Sequence, residues 1–240
     1  MKRTYAAIVL DKSGSMGYIK DQTIVGFNEQ VQQLKLNSQD PDMETLVSLI
    51  SFNGDVFEHI WNKPAAEVSE TDASDYNPDG STALRDAIGY TIKKLKETTD
   101  TKSPDNAYLL IIISDGQENL SRHWSQAALV EEIDSCQKSG KWTFTYMGCD
   151  KIYTEQVAKS LHIPISNAAV WDNTAVGSKM AYATSANSTA RYLRGRMNNQ
   201  ILTSNFHSMD ECLADFTEAA LSESDLAPDV PETKVDDKKA

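Results

Sequence analysis

The stretch Asp11-Lys12-Ser13-Gly14-Ser15 closes the apolar run AAIVL with one carboxylate and two hydroxyls at alternate positions. Along extended or loop backbone alternate residues point the same way, so these three oxygen-bearing side chains can converge. Two other junctions carry the same kind of group. Asp115 follows the apolar run LLIIIS, and Thr82 opens the segment TALRDAI. The five residues together supply two carboxylates and three hydroxyls, with neither thiol nor imidazole. That hard-oxygen set suits Mg²⁺, Mn²⁺ or Ca²⁺ rather than zinc or copper. Hydroxyls bind without charge, so an ion held this way stays electron-poor and attracts an acidic oxygen from outside. Taken singly, Asp11 and Asp115 read better as helix caps, since each precedes a helical segment. Taken jointly, the convergent oxygens favour a metal site.

Positioning such a set requires strands that end together. TYAAIVLD (4–11) and AYLLIIISDG (107–116) are short, mostly apolar runs bounded by polar loops, the pattern of strands buried on both faces. ETLVSLISFNGDVFEHIW (44–61) predicts a hairpin turning at Asn53-Gly54, a pair favoured by type I′ turns. WTFTYMGCD (142–150) and NAAVWD (167–172) predict two further strands. Helical spacing predicts helices over 18–36, 81–98, 124–140, 154–162 and 174–195, with Ser81 as a candidate cap and Gly140 as a stop. This alternation predicts an α/β fold. The expected arrangement is a mostly parallel central sheet with one antiparallel edge strand and helices on both faces. Ligands of such sheets bind at the carboxyl ends of the strands, where strand order reverses. Asp11, Ser13, Ser15, Thr82 and Asp115 all fall at such ends.

The 240 residues carry a formal charge of −12 and are 40% hydrophobic, enough for a sizeable core. So acidic a surface repels phosphate backbones, which argues against nucleic acid and toward divalent cations or basic protein surfaces. No 18 apolar residues run together, so no membrane span is expected. The short apolar run near the start lacks an A-x-A-like cleavage site, so no signal peptide is read. Cys136, Cys149 and Cys212 are widely spaced and odd in number, which predicts a reduced, cytoplasmic chain without a disulfide framework. Residues 1–196 are expected to form one domain. Beyond it, 197–240 are expected to form an acidic tail, 209–240 holding ten acids against three lysines, with a short helix near 208–221 followed by disorder.

The D-x-S-x-S of DKSGSMG, the threonine of GSTAL and the aspartate of IIISDGQEN resemble the metal-ion-dependent adhesion site of von Willebrand factor A domains. All five positions of that pattern are filled in order. The hairpin, the YMGCD strand and the closing region resemble small bacterial and phage members of the family over roughly residues 4–195. The resemblance implies a Rossmann-like sheet with one divalent ion at its carboxyl edge. Ser13, Ser15 and Thr82 would ligate it directly, Asp11 and Asp115 directly or through water, and a partner's Glu or Asp would complete the shell. It also implies a protein-binding module without enzymatic activity, in some relatives a companion of AAA-type ATPases.

Two other classes stand beside it. A metal-dependent phosphatase or other hydrolase with an aspartate nucleophile needs a second carboxylate two residues on, where this chain has Ser13. An assembly protein whose metal is purely structural needs the same ligands and no metal-dependent partner. Glu118 and Asp86 are expected to be solvated carboxylates. Arg191, Arg194 and Arg196 are expected to be ordinary charges near a helix C-terminus, and the four tryptophans to be packing residues.

Overall fold

In a computed structural model, residues 1–36, 42–71, 74–115, 118–170 and 175–207 are described, the last segment by its backbone alone over 175–183. The tail expected to carry a short helix near 208–221, with Cys212, and also Trp171, lies outside the described residues. Among the described residues six strands alternate with five α-helices in the order β1 (Lys2–Asp11), α1 (Lys20–Leu36), β2 (Met43–Phe52), β3 (Val56–Pro64), α2 (Leu84–Thr98), β4 (Asn106–Ile113), α3 (Gln126–Lys138), β5 (Trp142–Gly148), α4 (Lys151–Ser160), β6 (Ala168–Val170) and α5 (Ala175–Met197). They form one sheet of order β3-β2-β1-β4-β5-β6, parallel throughout except for β3, which pairs antiparallel with β2 at one edge. The expected Rossmann-like architecture is therefore the observed one.

The core follows from strand alternation, which sends successive side chains to opposite faces. Tyr5, Ala7 and Val9 of β1 with Tyr108, Leu110 and Ile112 of β4 pack under Leu84, Ile88, Ile92 and Leu95 of α2, Leu129 and Ile133 of α3, and Val157 of α4. Ala6, Ile8 and Leu10 with Leu109, Ile111 and Ile113 pack under Phe27, Val31 and Leu34 of α1 and Tyr192 and Leu193 of α5. Every residue of β4 is buried, as its unbroken apolar run requires. Across the first face Tyr5, Tyr108 and Trp142, register partners on three adjacent strands, stack at centroid separations of 5.3 and 4.1 Å. Such cross-strand aromatic pairs contribute about 0.5–1.5 kcal/mol each beyond their buried area.

Two local expectations are corrected. The β2–β3 turn has three residues, Asn53 to Asp55, because Phe52 pairs with Val56. Neither Asn53 nor Gly54 has the positive φ that a type I′ turn demands. The Asn53 side chain accepts instead from the Asp55 N–H at 3.1 Å, a local Asx closure. Ser81 does not cap α2, whose N-cap position is Ala83 with no capping side chain of its own. Residues 198–207, beyond the expected domain end, also pack on this unit. Phe206 is fully buried, Thr143 donates to the Leu202 carbonyl at 2.9 Å, and the Asn167 amide donates to the carbonyls of Phe144 and Thr203.

Gly89 lies in the middle of α2 where helix propensity alone would favour alanine by about 1 kcal/mol. A Cβ there would stand 2.3 Å from the Trp124 indole. Gly89→Ala should therefore destabilise the fold by about 1–2 kcal/mol, overpacking outweighing the helix gain. Urea unfolding of the variant measures the sign directly, and a stabilised protein would show that Trp124 moves aside at no cost.

Candidate metal centre

Asp11 ends β1 with its side chain fully buried. One carboxylate oxygen accepts from the Ser13 N–H at 2.7 Å and the other from the Ser114 hydroxyl at 2.5 Å. Burial pushes this carboxyl up to about 6. The bonds from Ser114 and Ser13 oppose that rise, and the nearby negative charge of Asp115 adds to it. Tyr76 donates from its hydroxyl to the Asp11 carbonyl. The first two hydroxyls of the motif do converge, with the Ser13 and Ser15 oxygens 3.2 Å apart. Ser13 is buried, while Ser15 faces solvent.

Thr82 arrives on a separate loop that is laced to the first. The Gly14 N–H donates to the Gly80 carbonyl at 3.1 Å and the Asp79 N–H to the Lys12 carbonyl at 2.8 Å. Gly80 has φ +74°, a left-handed conformation suited to glycine, so the chain can turn there toward Thr82. Asn119 then holds Thr82 from the third loop: its side chain accepts from the Thr82 N–H at 3.0 Å, and the N–H groups of Asn119 and Leu120 donate to the Thr82 carbonyl. Asp115 follows Ser114 directly and is half-buried. The three loops carrying the five residues are thus tied together at the ends of β1 and β4 and the start of α2.

The donor set fits a small hard divalent cation. Two oxygens that share an octahedral shell at 2.0–2.1 Å from Mg²⁺ stand about 3 Å apart, close to the Ser13–Ser15 separation. Among the described residues the donors to the Asp11 carboxylate are neutral, the Ser13 N–H and the Ser114 hydroxyl. A cation placed beside a buried carboxylate lowers the cost of its charge.

Ser114, Tyr76 and Asn119 were not singled out by spacing, and they hold the site. Ser114 had a local signal, as the last residue before Asp115 in IIISD. The others act across more than 30 residues and had none. Glu118 and Asp86 are corrected from solvated charges to structural acceptors. Glu118 accepts from the N–H groups of Arg85, Leu120 and Ser121 and from the Ser121 hydroxyl, and it pairs with the Arg85 guanidinium at 3.5 Å. Asp86 is buried and takes the N–H groups of Arg122, His123 and Trp124 at 2.8, 2.9 and 2.8 Å. Glu118 accepting from the Arg85 N–H and the Ser121 hydroxyl accepting from the Asp86 N–H serve two N–H groups of the first turn of α2 in place of a local cap. Arg196 is likewise buried, donating to the Asp105 carbonyl at 2.6 Å, and Arg191 donates to the carbonyls of Asn205 and Phe206.

A doubly wound α/β domain with carboxylates and hydroxyls gathered where its strand order reverses is the class of protein defined here. The family model of the von Willebrand factor type A domain matches residues 7–188, and the chain belongs to that family. No curated protein matches the chain. Among solved structures it is similar to the pilus adhesin SpaC of Lactobacillus rhamnosus GG, with a TM-score of 0.58, 15% identity, 80% of this chain and 30% of that one covered. It is also similar to the von Willebrand factor domain of the type V pilus tip protein Mfa5 of Porphyromonas gingivalis, with a TM-score of 0.56, 10% identity, and 78% and 95% covered. The manganese-loaded TRAP protein of Plasmodium vivax gives a TM-score of 0.52 at 19% identity, with 76% and 71% covered. The chain spans less than half the length of several of the solved structures it matches, SpaC among them. At such identities the likeness is one of fold.

Asp86→Ala removes the acceptor of three backbone N–H groups in a buried setting and should cost about 2–4 kcal/mol of stability. A solvated surface carboxylate would change stability by about 0.5 kcal/mol or less. Chemical denaturation of the variant in the presence of chelator separates the two without involving any ion.

Proposed function

We propose that this domain is a divalent-metal-dependent protein-binding module, the ion held by Ser13, Ser15 and Thr82 with Asp11 and Asp115 beside them. Mg²⁺ is the proposed resident, with Mn²⁺ or Ca²⁺ able to substitute. The observation that carries this reading is the lacing of three oxygen-bearing loops to one another at the switch point of the sheet. When bound, the cation supplies a Lewis-acid bridge to a Glu or Asp of the partner.

The chain's own residues do the rest. Ser114 and the Ser13 N–H hold the Asp11 carboxylate in one orientation. Ser15 and Gly14 are exposed, which leaves the outer side open to a partner. Ser13 stands where an aspartyl phosphatase needs its general acid, so the proposal is of a binding protein and not an enzyme. The manganese carried by the Plasmodium TRAP structure and the adhesin role of SpaC are in keeping with such a module. An AAA-type ATPase as partner and a cytoplasmic setting belong to the same proposal.

Titration of the metal-free protein with Mg²⁺ or Mn²⁺ should raise its melting temperature, by the equivalent of about 2.7 kcal/mol at a hundredfold excess over Kd. Asp11→Ala and the milder Ser15→Ala should each abolish or weaken that rise. A partner captured in Mg²⁺ should be released by chelator. Stabilisation without a chelator-sensitive partner would leave a structural metal and overturn the binding role. Capture that survives both chelator and Asp11→Ala would overturn the metal bridge itself.

A further inference from the structure

A second cavity of about 310 Å³ lies on the α1 face of the sheet, between the ends of β1, β2 and β3 and the segment after β3. Its floor is apolar, made by Leu10, Phe27, Leu49 and Ile60. Its rim is polar and carries both signs of charge: Lys12 follows β1 directly, Ser51 and His59 come from β2 and β3, and Glu70 and Asp75 from the segment after β3.

The way His59 reaches this rim marks the cavity as built into the sheet. Leu49 pairs with Ile60 and Ile50 with Glu58, so His59 is the extra residue of a β-bulge. Regular alternation would send His59 and Ile60 to opposite faces of β3. The bulge lets both line the same cavity. His59 Nε2 then meets the Ser51 hydroxyl at 2.7 Å, which fixes the ring. Lys12 and Asp75 both lie near enough to act on that ring, and burial with the Lys12 charge holds its imidazolium below the ordinary range. The Lys12 ammonium is steadied 4.3 Å over the Phe57 ring.

We propose that this cavity is a ligand site for a zwitterion of amino-acid size with an apolar side chain. The carboxylate pairs with Lys12 beside His59, the ammonium with Asp75, and the side chain covers Leu10, Phe27, Leu49 and Ile60. A cavity near 300 Å³ with an apolar floor and a few convergent polar groups is of the size and make-up that such ligands occupy. A purely anionic ligand leaves Asp75 and Glu70 opposed, and a purely cationic one leaves Lys12 opposed, so the two-sign rim selects a molecule bearing both. The site is distinct from the proposed metal centre, though it shares a wall with it. Tyr76 lines the cavity and donates to the Asp11 carbonyl, and Lys12 follows Asp11 in the chain.

The test is an NMR titration of the full chain in chelator, with L-phenylalanine and L-leucine as probes. Saturable shifts at Ser51, His59, Ile60 and Tyr76 are expected. 3-Phenylpropionate and phenethylamine, each lacking one charge, should bind about tenfold or more weakly. Asp75→Asn, a substitution on an exposed loop, should weaken L-phenylalanine by a similar factor, as should Lys12→Met. Absence of saturable shifts at millimolar probe would overturn the site. Equal binding of the single-charge analogues, or an unchanged affinity in Asp75→Asn, would overturn the zwitterion assignment. Because metal is absent throughout, none of these results depends on the reading of the metal centre.

Discussion

The hydrogen bond from Ser114 to the buried Asp11 carboxylate joins the carboxyl ends of the two central strands, and the candidate site is arranged around it. β1 and β4 are neighbours in the sheet. The helices that follow them pack on opposite faces, α1 on one and α3 on the other. The chain thus leaves the junction of β1 and β4 in two directions, and a crevice remains between the departing loops. A carboxylate there is costly to bury. The Ser114 hydroxyl and the Ser13 N–H reduce that cost without supplying a positive charge, which leaves the carboxylate suited to a cation.

The same economy of neutral donors recurs around α2. A helix start exposes N–H groups that need acceptors, and here none is supplied by the residue at the N-cap. Asn119, Glu118 and Ser121 reach across from the segment after β4 to accept from Thr82, Arg85 and Asp86. Asp86 in turn accepts from the N–H groups at 122–124. The exchange makes the position of Thr82 a consequence of where the β4 loop sits. Helix α2 and the third loop of the site are therefore coupled mechanically, whatever the ligand.

At the opposite end of the strands the closing helix is anchored by buried polar groups. Arg196 and Lys2 tie the end of α5 to the starts of β1 and β4 through main-chain carbonyls. Along the helix, Gln30 of α1 donates to Ser185 at 2.7 Å and accepts from Thr189 at 2.8 Å, both bonds buried. Buried polar pairs of this kind select one register of helix on helix, since any slide leaves the amide unpaired.

The order of elements, the parallel sheet with its antiparallel edge, the buried central strands and the five candidate residues were all legible in the sequence. They rest on local features: apolar runs, helical spacing and the residue types at strand ends. What the sequence could not show is which distant group answers each polar atom. Ser81 looked like a cap until Glu118 and Asn119 took that work. Asp86, Glu118 and Arg196 looked like surface charges because a charged residue reads the same whether its partner is water or a backbone amide folded over it. The bulge at His59 was hidden for a related reason. A single unpaired residue changes which face a side chain takes without changing the run of residue types. Local pattern determined the elements, and the pairing of groups far apart in the chain, which exists only after folding, determined what those elements hold in place.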